Sequence, residues 1–237
     1  MRYDLLITSR GETSKSNFRR SLLQPIHGVT SVAVRSLMVP VTWYQVHSGN
    51  YTVRVEDSGA TGYSVTLTPG NYSIDELCDH MKARLDAVAT FATWTVTNDV
   101  NTLKIGISAT ATFKMVYALT TASKLIGLAS DSSVASSWTA TNVYNVSRTE
   151  RIHVLCPSLK QVHHDYDGAH TSRILSIPLD VNPGEVQRYV PEAYGQDAFF
   201  LGGGSLSDVD LTLADDDGVE LDLNGLDWSI EFRVEGN

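Results

Sequence analysis

The C-terminal segment of the chain carries its clearest alternation of hydrophobic and polar positions. Apolar residues occupy every second position in three consecutive stretches, 209–213, 219–223 and 228–234. This period of two is typical of a strand with one buried and one solvated face. The acidic turn 215–218 and the pair Asn224-Gly225 separate the stretches and are favourable turn sequences. The pattern predicts three antiparallel strands joined by short turns, with the last, aromatic and β-branched strand central in the core.

Further short strands are predicted along the chain, bounded by Pro, Gly, Asn and Asp. They cover residues 3–8, 18–23, 30–39, 51–55, 63–67, 91–97, 103–108, 113–118, 143–146, 151–155, 172–179 and 185–190. We interpret Pro25 as the end of the second strand. The segments 129–142 and 158–171 are predicted loops, and the triplet 202–204 is a predicted glycine hinge.

One substantial helix is predicted at residues 74–88. Ser73 precedes it and Glu76 follows three residues later, the spacing of a capping box. An apolar stripe recurs at helical spacing through Ile74, Leu77, Cys78, Met81, Leu85 and Val88. We interpret the stripe as a surface that covers a sheet. A short helical turn is also predicted at 122–128.

These elements predict a mainly β chain, an antiparallel β-sandwich. Its 237 residues suffice for one large all-β domain or for two small ones, and we predict one jelly-roll domain. The segment from about 51 to 128, which contains the helix, is a predicted α/β insertion. Residues 1–24 are polar and are expected to form a weakly structured N-terminal arm.

Composition restricts the classes of function. The formal net charge of -9 argues against a general nucleic-acid binder, because phosphate neutralisation needs clustered Lys and Arg. The basic-leaning stretch 10–20 is interpreted as a solvated loop. The two cysteines, Cys78 and Cys156, are expected to be buried thiols rather than a disulfide framework. No signal peptide and no membrane-spanning segment is predicted.

Three clusters contain residue types that could form a site of chemistry. His163, His164 and His170 lie with Asp165 and Asp167 in a metal-like stretch, which we interpret as an exposed polar loop. The acidic residues of the segment 215–222 have the oxygen ligands that calcium prefers, but their spacing favours a hairpin turn. The triplet 202–204 lacks the Lys and the helix of a phosphate-binding loop. We therefore predict no catalytic, cofactor-binding or metal-ligating residues, and no cofactor.

The order of elements is itself informative. The stretches TPGNYSIDEL (68–77) and LDLNGLDWSIEF (221–232), in this succession of strands, resemble the minor capsid, or penton, proteins of small double-jelly-roll DNA viruses. These viruses are the virophages, polinton-like viruses and adintoviruses. The resemblance implies a single jelly roll that forms homopentamers at the icosahedral vertices of a virion and contacts the major capsid protein. From the polar, weakly structured character of residues 1–24, we also hypothesise that the arm reaches beneath neighbouring major capsid subunits.

Two other classes of function remain open at this stage. A β-sandwich module that binds carbohydrate or a receptor would use exposed aromatic residues, and the candidates are Trp43, Tyr44, Trp138 and Tyr194. For each of them, packing in the core or at a subunit contact is the simpler interpretation. A glycosidase-like β enzyme would need a pair of carboxylates that meet in space, which a sequence does not reveal.

Overall fold

The computed structural model describes residues 1–147, 149–159, 172–193 and 198–237, with only the backbone described at 200–202. The chain divides into two compact units. Unit 1 comprises Met1–Trp43 together with Thr149–Asn237, and unit 2 comprises Tyr44–Arg148. Each unit has its own cluster of buried hydrophobic residues.

Strands dominate the described residues. In chain order the strands and helices are β1 (Arg2–Thr8), β2 (Asn17–Pro40), β3 (Thr52–Asp57), β4 (Gly62–Thr66), α1 (Ile74–Val88), β5 (Trp94–Asp99), β6 (Lys104–Met115), α2 (Ser123–Ile126), β7 (Ala135–Thr139), β8 (Arg151–Leu155), β9 (Arg173–Pro178), β10 (Val186–Tyr189), β11 (Ala198–Ala214) and β12 (Ser229–Gly236). Short 3-10 helices lie at Tyr117–Leu119 and Pro157–Leu159. The prediction of a mainly β chain is confirmed. None of the described helices is long and apolar enough to span a membrane.

Unit 1 is built on one antiparallel sheet with the strand order β1-β12-β2-β11-β8-β9, and β10 also pairs with β2. Strand β12 lies between β1 and β2, and its side chains Ile230, Phe232 and Val234 are fully buried. Its predicted place in the core is confirmed. Successive side chains of a strand point to opposite faces of the sheet, so the alternation of apolar residues places these three side chains together on the buried face.

Strand β2 is longer than predicted. It continues from Asn17 to Pro40, where the sequence predicted two strands separated by Pro25. The register of β2 against β11 shifts between the pair Ile26–Leu206 and the pair Ser21–Asp208, so Pro25 lies in an irregular part of the ladder. A bulge tolerates proline, because a residue there need not donate a ladder hydrogen bond. Gly28 supplies a positive φ of 66° at a second irregularity.

Two predictions for the C-terminal segment are wrong. The glycine triplet is part of the strand β11, where register shifts occur, and is not a hinge between elements. The stretch 219–223 is not a regular strand: Glu220 forms an isolated bridge with Ala214, although Leu221 and Leu223 are buried. Strands β11 and β12 do not pair with each other. Each of them pairs with β2.

The N-terminal residues are largely strand, which corrects the expectation of a weakly structured arm over 1–24. Strand β1 pairs with β12 in an unbroken antiparallel register from Arg2 opposite Glu235 to Thr8 opposite Ser229. The beginning of β2 pairs with β11. Residues that look polar along the sequence lie here on the solvated face of the sheet, so their polarity does not indicate disorder.

Unit 2 contains a second antiparallel sheet, with the order β4-β3-β6-β5 and with β7 paired to β6. The predicted hairpin around Asp57 is present as β3 and β4. Helix α1 packs against β5 and β4 and buries Leu77, Cys78, Met81 and Leu85. Both hydrogen bonds of the predicted capping box are formed. The helical prediction and its buried stripe are confirmed.

Three predicted assignments in unit 2 change. The predicted loop 129–142 contains strand β7, in which Trp138 lies opposite Ile107 of β6. The predicted strands 103–108 and 113–118 are largely one strand, β6, interrupted only by a register shift against β7. The stretch 143–146 has no regular structure. Strand β7 is rich in serine and threonine, and it joins the sheet because β6 supplies the pairing that the sequence pattern alone does not show.

Candidate interaction surface

The carboxylates of the acidic segment after β11 accept hydrogen bonds from backbone N–H groups. Asp215 accepts hydrogen bonds from the backbone N–H groups of Asp217 and Val219, at 3.0 and 2.8 Å, and so closes its own turn. Asp216 accepts from the backbone N–H groups of Glu150 and Arg151, at 3.0 and 3.2 Å. The turn predicted from sequence thus anchors the beginning of β8 to the end of β11.

The carboxylate of Glu220, which follows this turn, has a different set of partners. Its oxygens accept hydrogen bonds from the hydroxyls of Ser14 and Ser16, at 3.0 and 2.8 Å, and from the side-chain amide of Asn17, at 3.3 Å.

Among the described residues, no three His, Cys, Asp or Glu side chains are grouped as metal ligands would be. The cluster of His163, His164 and His170 with Asp165 and Asp167 lies outside the described residues.

Both cysteines are free and buried, as predicted. Burial, together with the charges of the nearby Asp75 and Asp79, raises the pKa of the Cys78 thiol to about 11. Burial also raises the pKa of Cys156. The thiolate is the reactive form of cysteine, so neither side chain is suited to be a nucleophile at neutral pH.

Of the four aromatic residues predicted as candidates for ligand binding, three lie in the part of the chain that the structure describes, and their surroundings differ. Trp43 belongs to the core of unit 1, with 7% of its surface exposed, whereas Tyr44 is exposed and belongs to unit 2. Trp138 is half-buried and packs against the core of unit 2. Tyr194 lies outside the described residues.

A network of hydrogen bonds holds the loop after β1 to the beginning of β12. The backbone N–H of Trp228 donates to the Ser9 hydroxyl at 3.0 Å, and its indole N–H donates to the carbonyl of Lys15 at 2.6 Å. Lys15 forms an ion pair with Asp227 at 2.9 Å. The Lys15 ammonium lowers the pKa of the Asp227 carboxyl, chiefly through this hydrogen bond. The loop is thereby fixed at the end of the sheet where β1 ends.

Strand β1 presents an exposed edge, and we name its residues Arg2–Thr8 the β1 edge. It is the terminal strand of the sheet order among the described strands, so one side of its backbone has no strand beside it there. Its Leu6 side chain is 68% exposed, although Leu5 and Ile7 on either side turn towards the core. An exposed, regular edge strand with an apolar side chain is a site where another chain can pair.

Charges on the outer face beside Leu6 are matched within the unit. Arg35 contacts Asp4 at 2.8 Å and Glu231 at 3.1 Å, and Arg233 contacts Asp4 at 3.4 Å. The carboxylate of Asp4, which is the acidic residue of β1, is therefore turned towards its own sheet. The sequence signal for this surface was the run Leu5-Leu6-Ile7, because in a strand the middle residue of three apolar neighbours must face away from the core. This surface was not predicted from the sequence.

No protein-family model and no curated protein matches the chain. Among solved structures, the chain is similar to the crystal structure of the mavirus penton protein, with a TM-score of 0.50 and 8% sequence identity. The likeness covers 100% of both chains. At this low sequence identity, the likeness shows a similar fold. It confirms the resemblance to penton proteins and the jelly-roll β-sandwich that were inferred from the sequence.

Proposed function

We propose that the chain is a structural protein of a viral capsid, that it assembles into pentamers at icosahedral vertices, and that it contacts the major capsid protein. The observation that carries the proposal is the likeness in fold to a penton protein over the full length of both chains. This length includes unit 2, which a plain jelly roll does not contain. The virion is then the place where the protein acts, and the proposed role requires no catalysis.

The β1 edge supports self-assembly in particular. A ring of five copies is a closed heterologous assembly, in which each subunit contributes two different surfaces. An edge strand is one such surface, because its backbone can hydrogen-bond to a neighbour and its exposed Leu6 can be buried there. Complete burial of a leucine side chain contributes about 1.5–3 kcal/mol.

The mass of the purified full chain, measured by light scattering behind a sizing column over a range of concentrations, tests the proposal. We expect a species of five subunits, or monomers and dimers that form five-fold rings in electron micrographs at high concentration. A trimer would contradict the vertex role. A strict monomer, combined with no binding to the viral major capsid protein in a pull-down, would also contradict it.

A substitution at the β1 edge tests the proposed contact separately. Leu6→Lys keeps the folded unit intact, because Leu6 is exposed, but places a charge where a neighbouring strand would pair. We expect Leu6→Lys to raise the protein concentration at which rings form by at least tenfold. Leu226→Lys is the matched control, since Leu226 is 50% exposed and lies outside the β1 edge. If both variants form rings at the same concentration, the β1 edge is excluded from the contact between subunits. The mass measurement would still test the pentamer independently.

A further inference from the structure

The sheet of unit 1 has a second exposed edge, which lies beside the end of β2. Residues 37 and 38 of β2 pair with β12 on one side and with β10 on the other. The register places four residues in one row across β1, β12, β2 and β10: Thr8, Ser229, Met38 and Arg188. Among the described strands, β1 and β10 each pair with one strand, so they are the two edges of this part of the sheet. We name residues Val186–Tyr189 the β10 edge.

The β1 edge directs the backbone groups of alternate residues away from the sheet. Residues of an antiparallel pair alternate between exchanging two hydrogen bonds and exchanging none, so every second residue has its N–H and C=O on the opposite side. Met1 and Gly236 exchange two hydrogen bonds, and the register continues along β1 without a shift. The N–H and C=O groups of Asp4 and Leu6 therefore point away from β12.

The β10 edge has the same arrangement. The C=O of Glu185 accepts a hydrogen bond from the N–H of Val41, immediately after β2, at 2.9 Å. By the same alternation, the N–H and C=O groups of Val186 and Arg188 point away from β2. The Arg188 C=O also accepts a long hydrogen bond, 3.4 Å, from the Gln187 side chain, and its second lone pair is left for another donor.

The side chains at these outward positions are of matching kinds. All four lie on the outer face of the sheet, because they follow Thr8 and Arg188 of the common row at intervals of two residues. Leu6 and Val186 are apolar, and Val186 is 45% exposed. Asp4 contacts two arginines of its own sheet but keeps 47% of its side chain exposed. Arg188 is exposed, and within the described part of the chain its guanidinium forms no ion pair.

The two edges run in opposite directions, because three successive antiparallel pairings separate β1 from β10. A rotation about an axis along the strands leaves the direction of every strand unchanged. A ring of copies related by such rotations therefore brings β1 of one copy beside an oppositely directed β10 of the next. This antiparallel arrangement is slightly more stable per residue than a parallel one.

We propose that the β1 edge of one copy pairs with the β10 edge of a second copy, with Leu6 opposite Val186 and Asp4 opposite Arg188. Two apolar side chains and two opposite charges then meet, and both kinds of cross-strand pair are favourable. A shift of two residues would place Arg2 or Leu6 opposite Arg188 instead, and a shift of one would turn each side chain to the other face. The inference rests on the proposed self-assembly and identifies the second surface of the ring contact.

Disulfide cross-linking of the full chain tests this register. The Cα atoms of a hydrogen-bonded antiparallel pair lie about 5.5 Å apart, within the disulfide range of roughly 4.4–6.8 Å. We expect Leu6→Cys mixed with Val186→Cys to give a covalent dimer on mild oxidation at a ring-forming concentration. Neither variant alone should do so, and the double variant should give a ladder of up to five subunits. The natural chain, whose two cysteines are buried, is the background control.

A variant two residues along the strand is the control for register. Leu6→Cys mixed with Arg188→Cys displaces the two cysteines by about 6.8 Å along the strands, at ~3.4 Å per residue, beyond the reach of a disulfide. We expect at least tenfold less dimer than from the first mixture. Equal yields would overturn the register. Covalent dimers of Leu6→Cys alone would show that two β1 edges pair with each other, which would overturn the proposal.

The charge pair is tested by substitution. We expect Arg188→Gln to raise the ring-forming concentration at least fivefold. Arg151→Gln should raise it less than twofold, since Arg151 is also exposed in unit 1 and lies outside both edges. Circular dichroism of both variants checks the fold. Equal ring-forming concentrations for the two variants would overturn the pairing of Asp4 with Arg188.

Light scattering of the same samples separates failure of this pairing from failure of the proposed function. Rings of five subunits without the cross-link between positions 6 and 186 would overturn the pairing and leave the pentamer supported. A strict monomer of the natural chain, with no cross-link in the mixture, would overturn both.

Discussion

Trp228 and Trp94 form a matched pair for testing the two units. Trp228 is 2% exposed in unit 1, and its indole N–H donates to the carbonyl of Lys15. Trp94 is fully buried in unit 2, and its indole N–H donates to the carbonyl of Ala89 at 2.9 Å. Each indole also has an edge-on phenylalanine neighbour. The substitutions Trp228→Phe and Trp94→Phe therefore remove the same kind of interaction from different cores.

The expected cost follows from these contacts. A buried carbonyl that loses its donor costs about 1–3 kcal/mol. The smaller phenyl ring leaves a void of at least methyl size, which costs about 1 kcal/mol. The sum is about 2–4 kcal/mol, a large part of the typical stability of a domain, ~5–15 kcal/mol. At about 1.4 kcal/mol for each factor of ten, this corresponds to roughly 30- to 700-fold faster exchange of the amides that open with the affected core.

Hydrogen exchange followed by mass spectrometry resolves the two units in one experiment. We expect Trp228→Phe to accelerate exchange in peptides from β2, β11 and β12, and Trp94→Phe to do so in peptides from α1, β5 and β6. The reason is that the buried residues form two separate clusters. Equal acceleration in both units by either variant would refute the idea of separately opening cores. An effect below about threefold in the affected unit would refute the assigned hydrogen-bond and packing energies.

Three further predictions concern local chemistry. Ser73→Ala removes the side-chain acceptor for the Glu76 N–H and should cost about 1 kcal/mol, measured by urea unfolding and by exchange in α1; an unchanged helix would contradict the role of the cap. Cys78 and Cys156 should react with a thiol reagent only after denaturation, and fast labelling of the native protein would contradict their burial. Burial, and then the charge of Arg84, lowers the pKa of His80, whose Nε2 accepts from the Thr68 N–H at 2.9 Å. The unfolded chain then binds more protons than the folded one below about pH 7, so the free energy of unfolding should fall as the pH drops through about 6.5, and His80→Gln should flatten this dependence.

The sequence predicted the local contacts of the acidic segment but not its contacts with distant parts of the chain. The sequence indicated that the acidic segment 215–218 is a turn, and its turn hydrogen bonds are present because Asp215 bonds to its own neighbours. It did not reveal that Asp216 anchors the beginning of β8, since that contact joins positions more than sixty residues apart. The pocket in unit 2 that is lined by Tyr117, Lys124 and Asn142 was not predicted either. Three separate segments of the chain form it, and they come together only in the folded unit.

The sequence by itself determined the elements whose signals are local. The capping box at Ser73 and the apolar stripe specify α1, and the alternation from Trp228 to Val234 specifies the buried face of β12, because such patterns are completed within a few residues. Only the tertiary structure decided how far β2 and β11 extend, that β7 is a strand, and that β12 pairs with β1 and β2 rather than with its neighbour in sequence. The physical reason is that a strand is stabilised by hydrogen bonds to another strand, so a proline, a glycine triplet or a serine-rich stretch becomes part of a sheet when a distant partner supplies the pairing.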